Sequence, residues 1–247
     1  MTARAVGRVL SMAVLLIVCL PAWAVSRLFG NGAFIVRLFL ACVGWLLGLR
    51  IKVVGRPVRG KVLYAGNHIS WLDIPALGGT TPARFIAKSE IAGWSVIGWL
   101  ARLGGSVFVA RQKRSEARLQ ANSVSLALGE GRPVVLFAEA GTGDGLTLTP
   151  FRASLFVAAN EAGALVQPVA IDYGVRAAEI ACPHGAGFKS EMKRMLNRPA
   201  PVEVTLRFLT PLDGAKIDRK TLAVETYAAV ASALGFPEPA RAAAIKE

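Results

Sequence analysis

From residue 51 onward, short runs of β-branched and apolar residues alternate with longer stretches in which apolar residues recur every three or four positions. The strand-like runs are Ile51–Gly55, Val62–Ala65, Phe85–Ala87, Ser106–Ala110, Val134–Ala138, Leu165–Tyr173 and Val202–Phe208. The helix-like stretches are Ile91–Leu103, Ser115–Leu128, Ser154–Ala162 and Thr221–Leu234, and Gly129, Gly163 and Gly235 stand where helix-ending glycines are expected. This alternation predicts an α/β fold: a mostly parallel, mixed sheet covered by helices on both faces.

Two apolar runs precede this pattern. Val9–Val25 contains seventeen residues without a charge, and Ala33–Leu49 is interrupted only by Arg37. Each run is near the lower limit of about 17 residues that can cross a bilayer, and Gly30–Gly32 separates them. We therefore expect residues 1–49 to form a membrane-associated helical hairpin that lies in, or dips through, one leaflet ahead of the α/β domain.

Two other interpretations of the first run remain open. Its basic start, its apolar core and the Ala22-Trp23-Ala24 segment also fit a secretory signal peptide. Apolar helices of this length can also pack on the core of a soluble domain. The hairpin is favoured because a second apolar run follows almost at once and would keep a cleaved product anchored.

The positive charge of the chain is concentrated at its amino-terminal end. Residues 1–72 hold nine Lys and Arg residues and no acid, in a chain of 247 residues whose net charge is +13. An anionic lipid surface attracts such a segment by roughly 1 kcal/mol per nearby basic residue. Nucleic acid would also attract it, but no basic stripe is interleaved with aromatic residues that could stack on bases. Membrane lipids are therefore expected as partners, and nucleic acid is not.

The three cysteines predict neither a disulfide framework nor a metal site. Cys19 and Cys42 lie inside the apolar runs, Cys182 is distant from both, and no CxxC pair occurs. Isolated cysteines of this kind behave as small apolar residues. No metal or cofactor is expected, and the α/β domain is expected to face the cytoplasm, where thiols stay reduced.

Acid–base chemistry at neutral pH has few candidate residues, because the chain contains only two histidines, His68 and His184. His68 directly follows an apolar strand, and Asp73 comes five positions later. A carboxylate at that spacing can accept the Nδ1–H of the imidazole, which leaves Nε2 to take a proton from a hydroxyl. No serine in a nucleophile elbow accompanies the pair, so the substrate alcohol itself would attack. The alternative is a loop histidine hydrogen-bonded to its own turn.

Asn67–Asp73 has the sequence Asn-His-Ile-Ser-Trp-Leu-Asp, which resembles the first motif of the glycerolipid acyltransferase family, the bacterial 1-acylglycerol-3-phosphate acyltransferases. Further blocks similar to those of the family follow in the same order, at Lys88–Glu90, Gly105–Arg111, Phe137–Thr142 and Val166–Ile171. The similarity extends over residues 50–175 and also includes the apolar segment that precedes them. It implies the same α/β domain and an acyl-transfer reaction.

The third block departs from the family pattern. The family's Phe-Pro-Glu-Gly-Thr is Phe-Ala-Glu-Ala-Gly here, so Ala140 places a Cβ where the family has glycine. A close backbone approach or a positive φ at that position would be strained. Thr142–Gly145, followed by Pro150–Phe156, is most similar to the lyso-ornithine lipid acyltransferase branch.

The resemblance also implies roles for single residues. His68 is the general base and Asp73 orients it, while the glycine-bearing loop around Glu139 supplies N–H donors to the developing oxyanion. The implied substrate-binding residues are Arg111, Glu139, Gly141, Thr142 and Arg152. Arg111 would grip a phosphate or carboxylate of the acceptor, because a guanidinium binds either group in two places. Glu139 would bind acceptor hydroxyls or hold Arg111.

These patterns and the resemblance predict a membrane-bound O-acyltransferase whose catalytic domain, residues 50–247, lies at the cytoplasmic face of the inner membrane. The acyl donor would be an acyl carrier protein or coenzyme A thioester. Lysophosphatidate is the default acceptor, and lyso-ornithine lipid is the alternative. Two other functions stay open: a non-catalytic lipid-binding membrane protein, and a hydrolase that transfers the acyl group to water.

Overall fold

The computed structural model describes residues 2–109, 117–182, 187–199, 201–237 and 245–246. Its strands are β1 Leu49–Val54, β2 Val62–Gly66, β3 Arg84–Lys88, β4 Val107–Val109, β5 Val134–Phe137, β6 Phe151–Arg152, β7 Leu165–Asp172, β8 Val202–Phe208, β9 Leu212–Asp213 and β10 Ile245–Lys246. Its α-helices are α1 Ala3–Leu28, α2 Gly32–Leu46, α3 Asp73–Thr80, α4 Ser95–Leu103, α5 Ala117–Gly129, α6 Val157–Ala162, α7 Ala177–Ile180, α8 Phe188–Asn197 and α9 Arg219–Leu234.

The main sheet has the strand order β1-β8-β7-β2-β5-β3-β4, and β9 pairs beside β7. Strands β7, β2, β5, β3 and β4 run parallel to one another. Strand β8 is antiparallel to β7, and β1 is parallel to β8. The predicted mostly parallel, mixed sheet is thus confirmed, with an antiparallel step near one edge.

Helices cover both faces of this sheet, because alternate residues of the buried strands point in opposite directions. Along β2, Leu63 and Ala65 join a cluster formed with α5, α6 and α9. Val62 and Tyr64 join a second cluster, to which α2, α3 and α8 contribute. These two layers fix the carboxyl ends of the parallel strands, the edge at which open α/β sheets bind their ligands.

Helices α1 and α2 form the expected apolar pair, connected through Phe29–Asn31. Helix α1 is long and apolar enough to cross a membrane, and only 6% of its most apolar window is buried. A core helix of a soluble domain would be mostly buried, whereas a signal sequence passes the same test of length and composition. The structure therefore gives this helix a solvent-facing apolar surface.

The hairpin joins the sheet at the edge where the parallel strands end. Strand β1 begins at Leu49, opposite Val202, and β8 runs antiparallel to β7, so this start lies beyond the carboxyl end of β7. Helix α2 also packs closely on α3, since a Cβ on Gly79 would lie only 2.7 Å from the Cα of Ala41. The base of the hairpin is therefore next to the loops that follow the parallel strands.

Three local predictions were wrong in detail. The stretch predicted as one helix over Ile91–Leu103 is a 3₁₀ turn over Ser89–Gly93 followed by α4, because Trp94 between them is extended (φ −79°, ψ 121°). The stretch predicted from Ser154 likewise begins as 3₁₀ and becomes α-helical at Val157. Gly129 is the last residue of α5 instead of following it, whereas Gly163 and Gly235 end their helices with positive φ as expected.

Candidate active site

The candidate site is the loop that leaves β2 at its carboxyl end. Gly66 is the last residue of β2, and a Cβ at this position would collide with the backbone carbonyl of Val169 on β7. The side chain of Asn67 then pairs with the backbone of Ile171 on β7: its Nδ2 donates to the carbonyl at 3.0 Å and its Oδ1 accepts from the N–H at 2.8 Å. These contacts fix where the next residue, His68, leaves the sheet.

His68 and Asp73 form the predicted dyad. The distance from Nδ1 of His68 to Oδ2 of Asp73 is 2.7 Å. Asp73 is fully buried and begins α3, where a carboxylate favours the positive end of the helix dipole. The imidazole remains partly exposed, so its Nε2 edge is the part of the dyad that a substrate can reach.

The carboxylate of Asp73 accepts further hydrogen bonds within the protein. Oδ2 also accepts from the backbone N–H groups of Ile69 and Ser70, at 2.9 and 3.0 Å. Oδ1 accepts from the hydroxyl of Tyr173 at 2.7 Å. The sequence did not predict Tyr173, although it ends the run predicted as Leu165–Tyr173, which pairs beside the strand preceding His68.

Phe137, the last residue of the neighbouring strand β5, and Glu139, two residues beyond it, both contact His68. Glu139 is buried, and it accepts the backbone N–H of His68 on Oε1 at 2.8 Å and that of Thr149 on Oε2 at 2.9 Å. Burial raises the pKa of the Glu139 carboxyl, although the two backbone donors oppose this shift. The Phe137 ring stacks on the imidazole, with ring centroids 3.8 Å apart and planes 9° from parallel. Its two expected roles, binding acceptor hydroxyls or holding Arg111, stay predictions, and within the described residues the carboxylate connects the backbones of His68 and Thr149.

The loop after Glu139 folds over the first motif. Ala140 takes a positive φ of 63°, the conformation for which the family's glycine would be suited. Gly143 donates its backbone N–H to the carbonyl of His68 at 2.7 Å. The hydroxyl of Thr142 donates to the carbonyl of Cys182. The predicted residues Gly141 and Thr142 therefore lie in a loop bonded to His68 on one side and to the segment before α8 on the other.

Of the two arginines predicted to bind the acceptor, the structure describes Arg152 but not Arg111. Arg152 lies on β6, and its backbone N–H donates to the carbonyl of Ala138 at 3.1 Å, which places it beside the Glu139 loop. Its guanidinium Nε is buried without a hydrogen-bond partner among the described residues. Arg111 lies outside the described residues, so its predicted contact with an anionic acceptor stays a prediction.

Two side chains that could act as nucleophiles near the dyad are engaged elsewhere. The hydroxyl of Ser70 is buried, 3.6 Å from the thiol of Cys182 and 3.4 Å from the backbone N–H of Leu72. Burial raises the pKa of the Cys182 thiol. Across the residues that the structure describes, no group of three or more His, Cys, Asp or Glu side chains could hold a metal ion.

The sequence of the chain is similar to those of several known proteins. The sequence model described as "Acyltransferase" matches residues 50–172. The chain is 35% identical over 201 residues to a lyso-ornithine lipid O-acyltransferase of Pseudomonas aeruginosa, covering 80% of this chain and 77% of the relative. It is 44% identical over 123 residues to a 1-acyl-sn-glycerol-3-phosphate acyltransferase of Neisseria gonorrhoeae, covering 49% and 48%.

A solved structure has the same fold. The crystal structure of the 1-acyl-sn-glycerophosphate (LPA) acyltransferase PlsC from Thermotoga maritima superposes with a TM-score of 0.65 over 90% of each chain. The two sequences are 21% identical.

Proposed function

Because this chain belongs to the acyltransferase family, we propose that it is a membrane-attached enzyme that moves a fatty acyl group from a thioester to the hydroxyl of a lysolipid. The donor would be acyl carrier protein or coenzyme A carrying the acyl chain. The observation that carries the proposal is the His68–Asp73 pair, at 2.7 Å, without a protein nucleophile beside it among the described residues. Such a pair suits direct attack by an alcohol.

The proposed reaction is a single displacement at the thioester carbonyl. Nε2 of His68 takes the proton of the acceptor hydroxyl as its oxygen bonds to the carbonyl carbon. Asp73 stabilises the imidazolium that forms, and backbone N–H groups of the loop holding Gly141 and Thr142 would stabilise the oxyanion. The carbon–sulfur bond then breaks, and the departing thiolate takes the proton from the imidazolium. An ester and a free thiol result, with no cofactor and no metal required.

Lyso-ornithine lipid and lysophosphatidate are the two candidate acceptors. Three relatives that match over most of both chains, from Pseudomonas aeruginosa, Rhodobacter capsulatus and Brucella abortus, bear the name lyso-ornithine lipid O-acyltransferase. The matching 1-acyl-sn-glycerol-3-phosphate acyltransferases are covered over about half their length. This coverage favours lyso-ornithine lipid and reverses the order expected from the first motif. Arg111 and Arg152 are the proposed contacts for the anionic group of either acceptor.

Attachment through the hairpin would bring the dyad to the lipid surface. The hairpin joins the sheet at the same edge as the loop of His68 and packs on α3, whose first residue is Asp73. A lysolipid held in one leaflet would then need little displacement to reach Nε2 of His68. We propose the cytoplasmic face of the inner membrane, because soluble thioester donors are supplied there.

A labelled acyl thioester offered with a panel of acceptors tests the proposal. We expect label in ornithine lipid or phosphatidate, together with equimolar release of thiol. Label recovered as free fatty acid, with or without acceptor, would indicate the hydrolase. Binding to lipid without thiol release would indicate the non-catalytic protein. Rates on the two lysolipids measured side by side decide between the acceptors.

A further inference from the structure

The chain contains three tyrosines, all buried, and each donates a hydrogen bond through its hydroxyl. Tyr64 donates to the carbonyl of Val58, and Tyr227 donates to the carbonyl of Leu148 at 3.0 Å. Tyr173 differs from them, because its acceptor is the carboxylate of Asp73. The hydroxyl of Tyr173 is thus bonded to Asp73, the partner of the proposed general base. Its hydrogen bond can therefore affect catalysis in a way that a hydrogen bond to a backbone carbonyl cannot.

The position of Tyr173 follows from the pairing of β2 with β7. The two strands are parallel, so the residues that follow them meet at one edge of the sheet. Asn67 fixes this arrangement, because its side chain is hydrogen-bonded to the backbone of Ile171, two residues before Tyr173. The hydroxyl is therefore held against the dyad by the sheet itself.

The four donors divide unequally over the carboxylate of Asp73. His68, Ile69 and Ser70 all donate to Oδ2, while Tyr173 donates to Oδ1. An ionised carboxylate is an acceptor with about four lone-pair sites, so loss of the tyrosine hydroxyl leaves Oδ1 buried without a donor among the residues that the structure describes. That oxygen would carry more of the negative charge, and the carboxylate would be freer to rotate.

The other titratable groups around the dyad do not offset this effect. Glu139 reaches His68 through the backbone N–H, and burial raises its pKa. Cys182 lies near Ser70 and Tyr173, and burial raises the pKa of its thiol. Burial, together with Asp73, also raises the pKa of Tyr173 well above its ordinary value, so its hydroxyl stays protonated and donates throughout the working pH range.

We propose that Tyr173 is a positioning residue of the acyl-transfer reaction: its hydroxyl fixes the plane of the Asp73 carboxylate and takes up part of the negative charge that faces His68. This rests on the proposed function, in which His68 is the general base. Tyr173 belongs to none of the sequence motifs, and among the described residues its hydroxyl donates to Asp73 and not to the imidazole.

Tyr173→Phe tests the proposal, because it removes one oxygen and keeps the ring. We expect kcat to fall about 10- to 100-fold, as when a group that orients a catalytic ligand is lost, with the KM of donor and acceptor changed less than about twofold. The less neutralised carboxylate of Asp73 should favour the positively charged form of the dyad over the form that can accept a proton. The acidic limb of the kcat/KM profile should therefore move to higher pH, by up to about one unit.

Tyr64→Phe is the matched control, since it removes the same atom from a buried ring that donates to a carbonyl. It should lower the melting temperature similarly and leave the pH profile in place. A Tyr173→Phe enzyme with the wild-type profile and kcat would overturn the proposal. If that variant does not fold, wild-type protein grown with 3-fluorotyrosine, a stronger donor, should show the acidic limb moved to lower pH, and an unmoved limb would equally overturn it.

A double variant that combines Tyr173→Phe with Asp73→Asn tests the role of Tyr173 separately from the proposed function. If Tyr173 acts through Asp73, adding Tyr173→Phe to Asp73→Asn should change the residual rate less than twofold, whereas independent effects would multiply. A wild-type protein that transfers no acyl group would contradict the proposed function instead. Normal wild-type transfer with multiplied effects would contradict only the role of Tyr173.

Discussion

The loop around His68 and the hairpin formed by α1 and α2 are both apolar in their surroundings, but they are held in opposite ways. In and beside the loop, the side chains of Asn67, Asp73 and Glu139 are buried and are hydrogen-bonded to backbone groups. In the hairpin, large apolar side chains face outward: Leu10 is 61% and Ile17 71% exposed. The loop around His68 is held by several hydrogen bonds at once, whereas the apolar surface of the hairpin is left without protein contacts.

Polar contacts of the hairpin are concentrated at its start. Arg8 donates to the carbonyls of Met195, Leu196 and Arg198 at the end of α8, and Thr2 donates to Asn197. These bonds attach one end of α1 to the α/β domain and leave the rest of the helix apolar. Because the two regions are held so differently, we expect the proposed reaction and the proposed membrane attachment to be separable, so that each can be removed without the other.

The largest expected effect is on the reaction alone. His68→Ala should reduce kcat by about 10²–10⁴, the range for loss of a positioned general base, because no other histidine lies in the loop. Binding to liposomes should be unchanged, since the substitution leaves the hairpin intact. Steady-state rates and co-sedimentation on the same preparation measure both. A folded His68→Ala protein with near-normal turnover would contradict the mechanism.

The reverse result is expected from the hairpin. Replacing Leu10 and Ile17 together by Glu should weaken binding to anionic liposomes by at least about 100-fold, because burying each apolar side chain contributes about 1.5–3 kcal/mol. Turnover of a soluble short-chain acceptor should be kept. Leu126→Glu is the matched control, since Leu126 is 72% exposed on α5 of the α/β domain. Equal loss of binding in this control would remove the distinction between the two regions.

The third prediction concerns the pH dependence of the loop. Because burial raises the pKa of Glu139, the unfolded chain loses this proton at a lower pH than the folded one. The free energy of unfolding should therefore fall as the pH rises above about 4.3, the ordinary value for Glu. In Glu139→Gln this part of the slope should disappear, as chemical denaturation between pH 4 and pH 7 would show. An identical slope in both proteins would mean that burial does not raise the pKa of Glu139.

Most of the sheet and the dyad were predictable because their signals are local. The strands are short apolar runs bounded by turns, and Asp73 comes five positions after His68, so one loop brings the two together. Tyr173 was missed because its contact joins residues 100 positions apart and depends on the pairing of β2 with β7. The available signal was the shared edge: both predicted strands end there.

The missed helix α3 shows a second limit. It contains Pro75, Gly78 and Gly79, which have poor helix propensity, and no apolar stripe of three-four spacing long enough to predict it. Tertiary packing overrides that propensity, since the glycines allow α2 to approach closely: a Cβ on Gly79 would lie 2.7 Å from the Cα of Ala41. The same absence of a side chain that weakens the isolated helix makes its contact with the hairpin possible.

The smallest expected effect concerns Ala140, and it tests whether the hydrogen bonds of the loop hold this residue in a strained conformation. Ala140 is the one described non-glycine residue with a positive φ, 63°, a conformation that costs an L-residue roughly 1–2 kcal/mol. Ala140→Gly should therefore raise the free energy of unfolding by about 1 kcal/mol, a rise of about 2–4 °C in Tm for a domain of this size. Ala138→Gly is the matched control: Ala138 is fully buried without such a φ, so it should lower stability. If Ala140→Gly also lowers it, the loop is not strained at this residue, and the surrounding hydrogen bonds hold a conformation that alanine adopts freely.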